Sequence, residues 1–212
     1  MALSFDLFGT LVAVDRPTEP WDAVAESLAA RSVRVPDDWE AAYRSAHREY
    51  DRGREAPLDE HVRLALASRG IEITEETAVE AVLDAFDSPV TVREGAIETL
   101  DAATQRGPVA VCSNCSVPGL VDRTLERAAI ETRSGHEFDA VVTSVDCGWR
   151  KPNPHIFEST AEALDVALAD LIHVGDDART DGGAGRVGAR SLLLDDHSLP
   201  AIAEKLREGA LC

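Results

Sequence analysis

The hydrophobic pattern falls into two regimes. The chain opens on Leu3-Ser4-Phe5-Asp6-Leu7, a short apolar run broken by one carboxylate, which predicts a buried strand over 3–7. From Trp21 to about Phe86 the apolar period turns helical. Trp21, Val24, Ala25 and Leu28 share one face, and Trp39, Ala42, Tyr43, Ala46 and Tyr50 a second. Leu58, Val62, Ala65 and Leu66 make a third, and Val79, Val82, Leu83 and Phe86 a fourth. Start signals agree with four helices: Thr18 before Glu19-Pro20, Pro36 ahead of an acidic turn, and Thr74 before Glu75-Glu76.

After Val90 helices and strands alternate. A helix over 95–106 is closed by Gly107-Pro108, and Val109-Ala110-Val111-Cys112 is an apolar run ending on Ser113-Asn114. A helix over 118–128, a strand at 140–142 and a helix over 156–164 follow. Leu171-Ile172-His173-Val174 ends at Gly175-Asp176-Asp177, then come a strand at 191–194 and a helix after Pro200. Strands separated by helices imply a parallel sheet covered on both faces. The expected fold is α/β: a Rossmann-like, doubly wound parallel core from residues 1–15 and 90–212, interrupted by a four-helix insertion over 16–89.

The chain has 212 residues, enough to bury a substantial core. A formal net charge of −18 argues against nucleic acid and anionic membranes as partners, since both attract a positive field. Only two lysines, Lys151 and Lys205, stand among 21 Lys and Arg residues, and aromatics make up 5%. With the acidic excess, this composition is similar to that of proteins from salt-loving organisms, so stability is expected to rise with salt. No run of eighteen apolar residues suggests a membrane span, and the first residues carry no basic leader. A cytoplasmic location is expected, with Cys112, Cys115, Cys147 and Cys212 reduced.

In such sheets ligands bind outside the carboxyl ends of the strands. The polar residues at those ends are Asp6, Ser113-Asn114 and Asp176-Asp177, with Lys151 in a nearby loop. Each has an ordinary reading alone: Asp6 as a turn residue, Lys151 as a solvated lysine, Asp176 and Asp181 as helix caps. Four chain-distant polar groups at one sheet edge are harder to explain that way. A retained Lys151, in a chain where Arg has nearly displaced Lys, also needs a reason. Cys112-x-x-Cys115 has the spacing of a redox pair or zinc half-site, but its first cysteine sits at a buried strand end. A structural role is expected for both cysteines and for His155 and His173.

This set resembles the haloacid dehalogenase (HAD) superfamily, whose members are mostly phosphatases. Asp6-Leu7-Phe8-Gly9-Thr10-Leu11 looks like its first motif and Ser113 its second. Lys151-Pro152-Asn153-Pro154 looks like its third, and Gly175-Asp176-Asp177-Ala178-Arg179-Thr180-Asp181 its fourth. The insertion after the first motif is similar to the family's helical cap. The resemblance implies Asp6 as nucleophile, Ser113 and Lys151 holding phosphoryl oxygens, and Thr10 and Asn114 beside the substrate. It also implies Mg²⁺ bound by Asp6, the backbone carbonyl of Phe8, Asp176 and Asp181, with Asp177 sharing that work. The implied partner is a small phosphorylated metabolite; monomer and homodimer stay open. Any of Arg44, His47, Arg48 and Arg52 in the insertion is free to face that site.

One position departs from the phosphatase pattern. Phosphatases of this family usually place a second Asp two residues after the nucleophile, as general acid; here that position is Phe8. Dehalogenases of the family carry an aromatic there and a Ser-Asn pair in the second motif, as this chain does. They need no metal, however, whereas Asp176 and Asp177 beside Asp6 would repel one another without a cation. The expectation is a Mg²⁺-dependent phosphatase, with carbon–halogen hydrolysis, phosphonate hydrolysis or a binding protein of the same fold as alternatives.

Overall fold

A computed structural model describes residues 1–211; the expected reduced state of Cys212 lies outside the described residues. β1 (Ala2–Phe5) leads through a turn into β2 (Val12–Val14). The insertion then supplies α1 (Pro20–Ala30), α2 (Trp39–Arg44), α3 (Leu58–Ala67) and α4 (Glu75–Phe86). β3 (Val90–Val92) returns antiparallel to β2, so a two-stranded ribbon joins the insertion to the rest. The sequence pattern gave no sign of this ribbon, because three-residue strands are too short to show a period.

The remainder alternates. α5 (Ala96–Thr104), β4 (Val109–Ser113), α6 (Leu120–Ala128) and α7 (Ile130–Ser134) come first. β5 (Ala140–Thr143), α8 (Ser144–Cys147) and α9 (Pro154–Ala163) follow. The chain ends on β6 (Leu171–Gly175), α10 (Gly183–Arg186), β7 (Arg190–Leu193) and α11 (Leu199–Glu208). The short α7, α8 and α10 were not anticipated, being about one turn each. α2 stops at Arg44, so Ala46 and Tyr50 are not on its face; Ser45 is extended and its hydroxyl donates to Ala41 O at 2.7 Å.

Five strands form one parallel sheet in the order β5-β4-β1-β6-β7. The chain fills one side of β1, then crosses to the other, so the strand order reverses at β1. Side chains alternate between two cores. Leu3, Phe5, Val111 and Val174 face the larger, which continues into Val24, Leu28, Trp39 and Val62 of the insertion. Ala2, Ala110, Cys112 and Leu171 face the smaller, against Ile156 and Phe157 of α9. Among the described residues no helix is long and apolar enough to cross a membrane.

Candidate active site

The reversal at β1 creates a crevice between the ends of β4 and β6, and the polar residues gather there. Asp6 follows β1 directly, its N–H donating to Val174 O at 2.8 Å, and the residue is 7% exposed. Ser113, the last residue of β4, donates its hydroxyl to Asp6 Oδ1 at 3.2 Å. Lys151 comes in from the loop between α8 and α9. Its Nζ donates to Asp6 Oδ1 and to Cys112 O, both at 2.8 Å, and pairs with Asp181 Oδ1 at 2.6 Å. Asn114 holds the lysine's backbone: Lys151 N–H donates to Asn114 Oδ1 at 2.7 Å, and Asn114 Nδ2 donates to Lys151 O at 3.1 Å.

Behind these lies a buried polar chain. His173, in the middle of β6, meets Asp181 Oδ1 through Nε2 at 3.0 Å and Ser4 Oγ through Nδ1 at 2.9 Å. Asp177 N–H donates to Asp181 Oδ2 at 3.0 Å. Burial and the Lys151 charge push the His173 ring below its ordinary pKa, so it is neutral near pH 7. A neutral ring satisfies both neighbours when Nε2–H donates to Asp181 and Nδ1 accepts from Ser4. Burial would raise the Asp181 carboxyl, yet His173 and Lys151 outweigh it and hold the group well below the usual range. Burial likewise opposes the Lys151 charge, but Asp6 and Asp181 keep the ammonium above its ordinary value.

Asp176 behaves oppositely. Burial and the neighbouring Asp6 push its carboxyl up, against a hydrogen bond from Thr10 Oγ1 to Oδ1 at 3.2 Å. Asp6, Asp176 and Asp181 each offer an oxygen within 4.8 Å of the others. Two glycines make this crowding possible. Gly9 sits at φ +94°, and a Cβ there would overlap the Asp176 carboxylate; a Cβ on Gly175 would overlap Asp181.

Several expected residues stand elsewhere than their predicted roles. Thr10 is fully buried and spends its hydroxyl on Asp176, so it braces that carboxylate instead of facing a substrate. The Asp177 carboxylate turns to Arg179, accepting its N–H at 2.8 Å, and stays out of the acid cluster. In the insertion, Arg44 stacks on Trp21 at 4.0 Å and pairs with Glu40, Arg48 pairs with Glu60, and His47 meets Ala42 O. None of these, nor Arg52, lines the pockets at the site.

Two arginines do. A polar pocket of about 250 Å³ is walled by Asp6, Lys151, Asp176 and Asp181, with Asp177 and Thr180 also lining it, and its rim is Phe8, Arg16, Asn114 and Arg150. The same four rim residues open onto a second cleft of about 300 Å³, walled largely by apolar side chains of both the core and the insertion. Arg150 is tied to Glu55, donating from one nitrogen to both carboxylate oxygens at 2.8 and 2.7 Å. Glu55 is 5% exposed and also accepts from the Ser144 hydroxyl. The adjacent backbone is paired as well: Glu55 N–H donates to Gly148 O at 3.0 Å and Arg150 N–H to Gly53 O at 2.9 Å. The one sequence signal for Arg150 is that it immediately precedes Lys151; nothing in the pattern around Arg16 distinguishes it.

Comparison with known proteins follows the same outline. A family model described as haloacid dehalogenase-like hydrolase matches residues 1–188. The chain belongs to that family. A haloacid dehalogenase-like hydrolase domain-containing protein 3 from Bos taurus is 39% identical over 113 residues, which is 51% of this chain. The matched stretch spans 43% of that relative's length, less than half. A ribulose-1,5-bisphosphate 5-phosphatase from Halopiger xanaduensis is 26% identical over 211 residues, covering 92% of this chain and 84% of that protein. Among solved structures, a HAD phosphatase from Thermococcus onnurineus superposes with a TM-score of 0.56 at 18% identity, over 99% of this chain and 97% of that one. That likeness extends the shared fold to the whole length of this HAD-like hydrolase.

Proposed function

We propose that the protein is a Mg²⁺-dependent hydrolase that cleaves a small phosphorylated metabolite through an aspartyl-phosphate on Asp6. The observation that carries this reading is the crowding of Asp6, Asp176 and Asp181, with the Asp176 carboxyl pushed up by burial and by Asp6. Like charges that close need a cation, and hard carboxylate oxygens suit Mg²⁺. The oxygens of Asp181 are already engaged by Lys151, His173 and the Asp177 N–H. Asp6, Asp176 and the Phe8 carbonyl are therefore the direct ligands, with Asp181 acting through water and through Lys151. Bound there, the ion would supply positive charge opposite the phosphoryl oxygens.

The chain's own groups account for the rest. An Asp6 oxygen attacks phosphorus, the bond from phosphorus to the leaving oxygen breaks, and that oxygen keeps the electron pair. Lys151 and the Ser113 hydroxyl, both already on Asp6, are in place to stabilise the phosphoryl oxygens as charge builds. Water then attacks the aspartyl-phosphate, releasing inorganic phosphate and restoring Asp6. The phosphatase relative that covers most of the chain supports phosphoryl transfer. Phe8, in the usual place of the acid, limits turnover to substrates with good leaving groups. The test is phosphate release from 4-nitrophenyl phosphate with Mg²⁺ in molar KCl: activity should vanish in Asp6→Asn and on chelation, and activity surviving Asp6→Asn sinks the proposal.

Phe8 and the Ser113-Asn114 pair favour a second reading, carbon–halogen hydrolysis by the same nucleophile. Halide release from 2-chloropropionate that persists in chelator would select it over the first.

A further inference from the structure

Two features of the site have no role so far: the apolar cleft beside the acidic pocket, and Arg16 on their common rim. The apolar part of the cleft's lining includes Val14 of β2, Pro20, Leu58 and Phe86 of the insertion, and Val117 and Leu120 from the core. Its volume is about 300 Å³. An apolar cavity of about 150 Å³ holds a benzene ring, so this cleft, apolar over part of its wall, has room for one or two rings. The cleft meets the acidic pocket at Phe8, Arg16, Asn114 and Arg150, next to the chamber that holds Asp6.

We infer that the substrate is an aryl phosphate, its phosphoryl group in the acidic pocket and its ring in this cleft. The inference rests on the phosphoryl-transfer reading above and names its substrate class. Two independent observations converge on it. The first is the fit of a ring to an apolar chamber that adjoins the reacting centre. The second is the missing acid: Asp15 is the one carboxylate on the cleft wall, and it does not line the acidic pocket. An alkoxide, whose conjugate acid is comparable to water at a pKa of about 15.7, leaves poorly without a proton. A phenolate, whose conjugate acid has a pKa of about 10, leaves unprotonated far more readily.

In the balanced step, an Asp6 oxygen forms its bond to phosphorus as the phosphorus–oxygen bond to the ring breaks. The electron pair departs on the phenolate, which takes its proton from solvent water. Arg150 is already neutralised by Glu55, whereas Arg16 makes no ion pair among the described residues. Arg16 lies 5.8 Å from the Phe8 ring and lines both chambers, which makes it the cation that meets the departing phenolate oxygen.

The test is a substrate series with Mg²⁺ in molar KCl, comparing 1-naphthyl phosphate, phenyl phosphate, acetyl phosphate and ribulose 1,5-bisphosphate by kcat/KM. Burying one ring is worth about ten- to one-hundredfold in affinity, so both aryl esters should exceed ribulose 1,5-bisphosphate by at least about tenfold, while acetyl phosphate, whose carboxylate leaves readily without a proton, is the ring-free reference. Filling the cleft from the loop with Ser88→Trp should lower the ratio of naphthyl to acetyl phosphate turnover by about tenfold or more. Arg16→Gln should slow phenyl phosphate more than 4-nitrophenyl phosphate, whose leaving group needs less help. A preference for the sugar bisphosphate, or a naphthyl-to-acetyl ratio that Ser88→Trp leaves unchanged, overturns the aryl assignment while leaving phosphoryl transfer intact. No phosphate release from any ester overturns the phosphatase reading itself, and this inference with it.

Discussion

Replacing Lys151 by Met isolates the electrostatic core of the site. The side chain is 1% exposed and stands between Asp6 at 2.8 Å and Asp181 at 2.6 Å, with Asp181 itself 2% exposed. Methionine matches the stem but leaves both carboxylates without their cation. Breaking a buried ion pair by removing one partner costs about 3–5 kcal/mol. In a chain of this size each kcal/mol moves Tm by about 2–4 °C. Lys151→Met should therefore melt about 6–20 °C lower by calorimetry at pH 7 in molar KCl with chelator.

The pH dependence gives a sharper check. In the unaltered protein the depressed Asp181 carboxyl contributes stability that is present above the ordinary carboxylate value of about 4. That contribution is lost as pH falls through the folded value. In the variant Asp181 keeps His173 and the Asp177 N–H but loses the Lys151 charge, so burial weighs more heavily and its carboxyl takes up a proton at higher pH than in the unaltered protein. The difference in Tm should accordingly shrink as pH falls from 7 towards about 4.5. A drop under about 2 °C at pH 7, or a gap that widens on acidification, would refute the assignment of Lys151 as the counter-ion of two buried carboxylates.

Phe8→Asp should raise kcat/KM on a simple alkyl phosphate by at least about tenfold, since general acid catalysis is typically worth about 10²–10⁴; no gain would mean the missing acid is not what limits the site. The net charge of −18 predicts a Tm that climbs between low-salt buffer and molar KCl as self-repulsion is screened, and a salt-independent Tm would contradict it. Burial pushes the Cys112 and Cys115 thiols up to about 11, so neither should react with a thiol reagent at pH 8 until the protein unfolds. Prompt labelling of either in the native state, located by mass spectrometry, would count against that.

The sequence was most readable where the pattern is long and periodic. The five core strands stand out as apolar runs between helical segments, and four of the site residues can be read as polar residues at their ends. The shape of the insertion was less legible: a three-residue ribbon and helices of one turn leave no period to detect. Where the chain bends also depended on local hydrogen bonds, such as that of the Ser45 hydroxyl at the end of α2. Within the site, type and order pointed to Asp6, Ser113, Lys151, Asp176 and Asp181, but not to how each carboxylate is spent. Asp176 and Asp177 are neighbours in sequence, yet one faces Asp6 and the other Arg179, because the turn after β6 aims them apart. The place of His173 between Ser4 and Asp181 has one sequence signal: a histidine in the middle of an otherwise apolar strand.

The Glu55, Arg150 and Ser144 contact bears on how freely this fold can be taken apart. Glu55 belongs to the inserted segment; Arg150 and Ser144 belong to the core; and Ser144 Oγ also accepts the Cys115 N–H at 2.9 Å. Val24, Leu28, Trp39 and Val62 of the insertion share one continuous apolar cluster with the sheet. Excising the insertion, or exchanging it for that of another family member, would strip Arg150 of its counter-ion one residue before Lys151 and uncover apolar surface over the sheet. Substrate range in this protein is accordingly not a module to be swapped by cutting at the ribbon. It has to be altered one side chain at a time, with the seam around Glu55 left whole.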